Sequence, residues 1–390
     1  MSLTTSRRGW GPLIAHAVTV QVLTYALRPA LPYGVLDVGG STAILGLIGT
    51  AFAVPALLIA IPSSRLVDRL GERVPAVLGA ALLVIAGVVS LLGIHSIPLL
   101  LVATLLLGMG HLLSVVSEQA LVANRSAHGS REGAFGVYTL ATSVGQTIGP
   151  LFLALPAPDH NGPWLRVIFG SCIVLALVVM TTSLMLQPTV RDLTLPKIGM
   201  FASTTSVLRS PGVLRALIAG GIALSSVDVT LAFWPALGQE TGLAATAISA
   251  MLVARAIASM ASRALLPWMS RRIPRKALLA GSLGASALAF AATAAPLPIV
   301  LLVIAAFLYG LAIGVCQPIT MSWLADEAPV GQRGMAMSLR LVGNRMGQST
   351  LPAAVGAVAP AAGAVGVILL TGASLVVASL VALGARRRAA

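Results

Sequence analysis

Six charged side chains interrupt the apolar parts of this sequence, and they are the residues best suited to do chemistry. They are two acids and four arginines: Arg28, Glu118, Asp228, Arg255, Arg340 and Arg345. If the apolar segments cross a bilayer, a charge at its centre costs about 2.5 to 3.5 kcal/mol, so the charge usually faces a partner or a water-filled cavity. In such a cavity the acids could carry protons and the arginines could bind an anion.

Each of these charges except Arg345 shares a helical face with other polar residues, because residues three or four apart lie on one side of a helix. The faces comprise Gln21, Tyr25 and Arg28; His111, Ser114 and Glu118; Gly221, Ser225 and Asp228; Arg255, Ser259 and Ser262; and Arg340, Asn344 and Gln348. The candidate substrate ligands are Gln21, Tyr25, Arg28, Asp228, Arg255, Gln317, Arg340 and Asn344. Asp228 is also the candidate proton carrier, since burial changes how readily a carboxylate binds a proton, and Glu118 is the reserve.

Structural interpretations compete with these functional ones. Arg28 and Asp228 lie at nearly equivalent places in the two halves of the chain, so they could simply pair with each other. Glu118 could bind only the loop before Arg131. His111 is more typical of a satisfied core histidine than of a titrating relay.

Two of the four arginines, Arg340 and Arg345, lie within one apolar run and have few acids available as partners. Arg340 shares a face with Asn344 and Gln348, whereas the spacing directs Arg345 to another side of the helix. There Arg345 could pair with an acid or hold helices together. Four buried arginines against two buried acids indicate an anionic substrate or bound lipid headgroups.

Composition places these residues in a membrane protein. Of the 390 residues, 57% are hydrophobic and 9% charged, and the mean hydropathy is +0.96; a soluble protein has about 25% charged residues. The net charge of +14 does not indicate nucleic acid, because most Lys and Arg fall in segments on one predicted side of the membrane. The positive-inside rule makes that side, with both termini, cytoplasmic. Arg and Ala are abundant, which is typical of proteins from GC-rich bacteria, so we expect the membrane to be a bacterial plasma membrane.

Twelve apolar runs are long enough to cross a bilayer. They lie near 11–33, 41–63, 75–94, 97–119, 132–155, 163–186, 213–236, 243–268, 276–294, 297–320, 333–356 and 361–384. We therefore predict an all-α integral membrane fold with two six-helix bundles, residues 1–190 and 213–390, joined by a cytoplasmic linker at 191–212.

The two halves resemble each other in sequence. A shift of 202 residues superposes Gly108 on Gly310, Arg131 on Arg333, Gln146 on Gln348 and Pro150 on Pro352. One fixed offset across three predicted helices indicates a parallel repeat.

A short charged turn, SRLVDRLGERV at 64–74, separates the second run from the third. Asp68, Arg69 and Arg73 surround Gly71, and these charges should lie at a bilayer face because none could enter hydrocarbon at low cost. An ordinary loop held in the cytoplasm by its arginines would have the same composition.

This turn resembles the G-x-L-a-D-R-x-G-R-K turn of the major facilitator superfamily of secondary transporters, with Ser64 in place of its glycine and Glu72 in place of a base. The resemblance implies a gating role. Asp68 would face the amino end of the eleventh helix near Arg333, Arg69 would bind a neighbouring helix end, and Gly71 and Arg73 would complete a cytoplasmic latch.

A second motif lies in the fifth run. Gly136, Gly145, Gly149 and Pro150 follow the spacing G-x8-G-x3-G-P, which looks like the motif of the drug–proton antiporter branch of the same superfamily. That branch has another glycine where this chain has Leu153. The glycines should allow close helix packing and the proline should bend the chain. The branch resemblance implies export, although a packing motif alone would have no bearing on direction.

The sequence lacks the motifs that are typical of enzymes and of metal-binding proteins. No G-x4-G-K-[ST] loop, metal-spaced cysteine pair or nucleophile elbow occurs, so no enzymatic activity or cofactor is expected. Cys172 and Cys316 lie inside apolar runs, which does not indicate a disulfide framework. A channel is a separate possibility. A charged gating turn fits a carrier better than a channel.

The resemblance implies a monomeric carrier, embedded in lipid, that works by alternating access. We expect a proton-coupled exporter of a small organic compound. The alternative is uptake or exchange of an organic anion bound by Arg28, Arg255, Arg340 or Arg345.

Overall fold

The computed structural model describes residues 9–125, 131–155, 157, 162–187, 212–327 and 333–384, and these residues form helices without strands. The first half contains α1 (Trp10–Asp37), α2 (Thr42–Leu70), α3 (Arg73–Leu92), α4 (Ile97–Arg125), α5 (Arg131–Ile148) and α6 (Leu165–Met185). The second half contains α7 (Val213–Thr241), α8 (Ala245–Arg272), α9 (Arg275–Ala292), α10 (Ile299–Gly314), α11 (Cys316–Glu327) and α12 (Arg333–Leu383). A short 3-10 helix, Gly149–Ala154, continues α5.

Nine segments within these described ranges are helical, long enough and apolar enough to cross a membrane. The predicted all-helical membrane class is therefore confirmed, while the count of twelve spans and the cytoplasmic termini stay predictions. The tenth predicted run is divided between α10 and α11. The eleventh and twelfth runs together form α12, which is broken at Gly363, where φ is 64° and ψ is −175°. Residues 191–211 of the predicted linker lie outside the described part.

Gly71 makes the tight connection between α2 and α3 possible. Its φ of 90° is a conformation that side chains with a Cβ rarely adopt, and its N–H donates to Val67 O at 3.0 Å. Arg69 and Arg73 on either side are exposed, as the sequence predicts. The side chains of Asp68 and Arg333 lie outside the described part of the structure.

Glu72, the remaining charge of this turn, is buried against the protein, unlike Arg69 and Arg73. Glu72 is 1% exposed and accepts a hydrogen bond from Asn124 Nδ2 at 2.8 Å. The turn folds back against the end of α4, which gives the carboxylate a polar partner and makes its burial tolerable.

The two halves meet closely at one end of the bundle, where α1 ends and α2 begins; we call this end the α1–α2 face. There α2 packs along α12, and Thr50 Oγ1 donates to Ser349 O at 3.1 Å. Two glycines allow the contact: a Cβ at Gly356 would lie 2.6 Å from Gly46 Cα. Small residues at helix crossings let backbones approach in this way.

A second contact between the halves closes the same face. The 3-10 helix after α5 packs against α8, and Ser249 Oγ donates to Pro150 O at 2.8 Å. The opposite end of the bundle, where α2 ends and α3 begins, is the α2–α3 face.

The glycines of the fifth run do not all pack as expected. A Cβ at Gly145 would lie 2.5 Å from Val18 O, and one at Gly149 would lie 2.7 Å from Tyr25 C, so both glycines sit against α1. Gly136 is exposed and has no atom within 4 Å of the position of a Cβ, so the expected packing role is wrong at this position. Tyr138 of α5 packs in one apolar cluster with Leu13 of α1, so α5 already contacts α1 at this level. Gly136 is about two and a half turns from Gly145 and therefore lies on the opposite side of the helix.

Replacing Gly356 by leucine should open the α1–α2 face, because the added side chain cannot fit against Gly46. The test is thiol labelling of a single cysteine at Ile48, which is 3% exposed, with Cys172 and Cys316 changed to serine. A membrane-impermeant maleimide should react several-fold faster when Gly356→Leu is present. The matched control is Gly281→Leu on α9, where a Cβ meets nothing within 4 Å. Equal labelling rates in the two variants would contradict the assignment.

Candidate functional site

A polar network occupies the place where α1, α7 and α12 meet. Arg28 Nη1 donates to Asp228 Oδ1 at 2.8 Å, and Gln348 Nε2 donates to Asp228 Oδ2 at 2.7 Å. The two charged side chains are 8% and 2% exposed. Both carboxylate oxygens of Asp228 therefore have a donor, as a buried charge requires.

The network joins the two halves of the chain, because Arg28 belongs to α1 whereas Asp228 and Gln348 belong to α7 and α12. The guanidinium of Arg28 also lies 3.9 Å from the ring centroid of Phe52 on α2, a cation–π contact. The pairing that the sequence allowed between Arg28 and Asp228 is thus present in this conformation.

The expectation that Arg345 points away from the polar face is wrong. Arg345 Nη1 donates to Gln348 Oε1 at 3.0 Å and interacts electrostatically with Asp228 and Arg28. A residue three positions before Gln348 lies on the same side of the helix, and the long arginine side chain extends the reach further. Asn344 is buried, and its Oδ1 has no partner among the described residues.

The spacing placed Arg340 on the candidate substrate face. It lies more than one helical turn before Arg345 and is not part of this network. It is half-buried, and its Nε has no hydrogen-bond partner in the described part of the chain. Arg340 therefore remains a candidate ligand that the network does not include.

A second polar cluster lies wholly within the first half and includes a histidine that sequence reasoning missed. His16 Nδ1 lies 2.6 Å from Glu118 Oε1, and Tyr138 Oη donates to Glu118 Oε2 at 2.8 Å. His16 and Glu118 are both fully buried. The alternative that Glu118 binds only the loop before Arg131 is therefore wrong, because both its oxygens have partners inside the bundle.

Ser183 of α6 extends this cluster. Its Oγ lies 2.9 Å from His16 Nε2 and 3.3 Å from Ala76 O. The cluster joins α1, α3, α4, α5 and α6.

The other sequence candidates lie close by. Gln21 Nε2 and His111 Nε2 are 3.3 Å apart, and the His111 ring lies 5.5 Å from Phe52. His111 thus has the partners expected of a core histidine.

A cavity of about 80 Å³ lies between the two halves, beside the polar network. Its polar lining consists of Tyr25, Gln146, Arg255, Ser259, Arg263 and Gln317. The structure therefore brings the predicted ligands Tyr25, Arg255 and Gln317 together in one place. It adds Arg263 of α8, which is not among the predicted ligands.

The arginines of this cavity are incompletely paired. Arg255 is 4% exposed, and its Nε and Nη2 atoms have no hydrogen-bond partner among the described residues. Arg263 Nη1 donates to Ser143 Oγ at 3.3 Å, across to α5 of the first half. A cavity with two guanidinium groups and no lining carboxylate is suited to a ligand that accepts hydrogen bonds.

A polar cavity between two helical halves, beside an ion pair that joins those halves, can bind a small molecule and respond to its charge. No cluster of three or more potential metal ligands occurs among the described residues.

Comparison with known proteins gives two kinds of match. The family model described as Major Facilitator Superfamily matches residues 16–234 and residues 216–390. No curated protein sequence matches the chain significantly.

Solved structures share the fold at low sequence identity. A point mutant of the nucleoside transporter NupG has a TM-score of 0.83 at 13% identity, covering 98% of this chain and 100% of that chain. The human organic anion transporter MFSD10 (TETRAN) has a TM-score of 0.68 at 18% identity, covering 97% and 99%. A D-xylose-proton symporter has a TM-score of 0.73 at 15% identity, covering 96% and 97%. At these identities the matches show the fold alone.

Replacing Glu118 by leucine should destabilise the protein by about 3–5 kcal/mol, because it leaves the polar groups of His16 and Tyr138 buried without their partner. The double variant His16→Leu with Glu118→Leu should recover part of that loss, since both partners of the buried pair are then apolar. Thermal unfolding of the purified variants in detergent would measure both effects. A Glu118→Leu protein as stable as the parent would contradict this account.

Proposed function

The chain belongs to the major facilitator superfamily and is a multi-pass membrane transporter, and on that premise we propose that it is a proton-coupled exporter of a small organic compound. It works by alternating access, in which the two halves move about a central site that opens to one side at a time. The drug–proton antiporter branch, the bacterial plasma membrane and a monomer surrounded by lipid belong to the same proposal.

The Arg28–Asp228 pair is the observation that carries this proposal. It is buried, it is 2.8 Å long and it connects α1 of one half to α7 of the other. A proton on Asp228 would remove one charge of the pair and weaken the contact between the halves. Protonation and the relative position of the halves are then linked through one carboxylate.

Glu118 is less suited to couple proton and substrate movement. Its partners His16 and Tyr138 both lie in the first half of the chain, so none of its contacts among the described residues joins the halves. We assign the proton to Asp228 and a structural role to Glu118.

The contacts at the α1–α2 face favour a conformation closed on that side. Gly46 meets Gly356, and Ser249 meets Pro150, while the cavity lies deeper in the bundle. We propose that the α1–α2 face is extracellular and the α2–α3 face cytoplasmic, because the exposed Arg69 and Arg73 lie at the latter.

The direction of transport is supported by the motif in α5. Gly145 and Gly149 bring α5 against α1, and Pro150 O accepts a hydrogen bond from the second half. The motif therefore lies at the closed contact whose opening would release a substrate outwards. A D-xylose-proton symporter shares this fold, so the fold alone does not decide whether protons and substrate move in the same or in opposite directions. That direction is therefore the property to measure.

We propose that the turn between α2 and α3 gates the cytoplasmic side. Asp68 would approach the amino end of α12 near Arg333, where the positive end of the helix dipole favours an acid. Arg69, Gly71 and Arg73 complete the gate.

Proteoliposomes with an imposed pH gradient test the coupling. Acid inside the vesicles should drive accumulation of labelled substrate as protons leave, and acid outside should drive it if the protein is a symporter. A panel of aromatic sulfonates and quaternary ammonium compounds keeps its charge across the pH range used. Accumulation that requires acid outside, or that ignores the gradient, would overturn the proposed antiport.

Asp228→Asn should abolish accumulation driven by the gradient while leaving substrate exchange measurable, because asparagine cannot bind the proton. The matched control is Glu240→Gln on the same helix, whose exposed carboxylate accepts from Ala364 N at 2.9 Å; it should remain coupled. Gradient-driven accumulation by Asp228→Asn at the parental level would show that the proton is carried elsewhere.

Asp68→Asn should reduce the transport rate at least tenfold without changing the yield or the thermal unfolding temperature, because the lost charge acts in one conformation only. Initial rates in proteoliposomes measure the effect. Arg73→Gln at the exposed start of α3 reports whether loss of another charge from the turn reduces the rate equally. Transport by Asp68→Asn at the parental rate would remove this residue from the gate.

A further inference from the structure

We propose that the cavity beside the polar network binds a small organic anion, with Arg255 and Arg263 as its counter-charges. The inference rests on the proposed function in taking the chain to be a carrier of small molecules. It adds the charge of the substrate and a ligand, Arg263, that the sequence did not identify.

The charge balance of the cavity is the first argument. Arg255 and Arg263 both line it, and none of its lining residues is acidic. The two buried acids in the described spans are already paired, Asp228 with Arg28 and Glu118 with His16. A net positive cavity inside a membrane protein is unfavourable unless an anion occupies it.

The geometry of Arg255 is the second argument. Its Nε and Nη2 atoms form one edge of the guanidinium, which presents two parallel N–H donors. Both atoms are buried, and neither has a hydrogen-bond partner among the described residues. This edge matches the two oxygens of a carboxylate, sulfonate or phosphate group, and such bidentate bonds are among the strongest that proteins make.

The remainder of the lining indicates what kind of anion fits. Tyr25, Gln146 and Gln317 supply hydroxyl and amide groups, while Leu224 and Ile313 are apolar. A few polar groups on an apolar wall are typical of sites that orient a small organic ligand. An anionic group with a compact apolar body satisfies both parts of the wall.

Arg263 gives this site a connection to the moving halves. It lies on α8 but donates to Ser143 on α5, so its side chain crosses between the halves. An anion that draws Arg263 away from Ser143 would remove that contact. Substrate binding would then act on the same interface as protonation of Asp228.

An isosteric set of probes tests the charge of the ligand. Benzoate, benzamide and benzamidine have nearly the same shape and carry negative, zero and positive charge. Calorimetry or thermal-shift titration of the purified full chain, in a non-ionic detergent at constant ionic strength, should detect benzoate and neither of the other two. A parallel chloride titration distinguishes an organic anion from an inorganic one.

Arg255→Gln and Arg263→Gln should each weaken benzoate binding at least tenfold, and lysine at Arg255 should restore little, because it lacks the planar fork. The matched control is Arg272→Gln at the exposed end of the same helix, where the guanidinium lies 4.5 Å from the ring centroid of Trp268. Its benzoate affinity should be unchanged. Each variant is first checked for parental size-exclusion behaviour.

Three results would overturn the inference. Benzamidine or benzamide could bind as tightly as benzoate, or benzoate binding could survive both arginine substitutions. Finally, chloride could be the one anion tested whose binding depends on Arg255 and Arg263. These failures are separate from failure of the proposed function. Gradient-driven transport without arginine-dependent anion binding refutes only the substrate class. Arginine-dependent benzoate binding without proton coupling refutes only the antiport.

Discussion

The contact between Arg28 and Asp228 is the interaction on which the rest of this structure depends. It is a buried ion pair between the two halves of a membrane protein, where neither charge can be left without a partner except at a large cost in free energy. Gln348 and the Phe52 ring complete its surroundings. A movement that separates α1 from α7 must break this pair, and a change in its charge would favour or oppose that movement.

The remaining charges separate into two groups according to whether they have partners. Glu118 is paired within the first half by His16 and Tyr138, an arrangement that joins helices rather than moving them. Arg255 and Arg263 instead line a cavity that contains no acid. The imbalance therefore lies in the cavity that we propose as the substrate site, and its sign is positive.

Small residues set how closely the halves can meet. At the α1–α2 face, Gly46 and Gly356 bring two backbones into contact, and Ser249 adds a hydrogen bond to Pro150. Between helices in lipid there is little hydrophobic driving force, so close packing and hydrogen bonds must supply the stability of this closed contact. A contact made of such modest terms can open without a prohibitive change in free energy.

The sequence by itself determined the helical membrane class, the tight turn at Gly71 and the buried charges Arg28, Glu118, Asp228 and Arg255, because hydropathy, helical period and backbone conformation are local properties. Helical spacing also selected Tyr25 and Arg255 as candidate ligands. Only the tertiary structure decided which charges meet. It paired Glu118 with His16, brought Arg345 to the network, placed Arg263 in the cavity and left Gly136 unpacked. Those outcomes depend on where helices distant in sequence cross and on how far arginine side chains reach, and neither is written in the periodicity of a single segment.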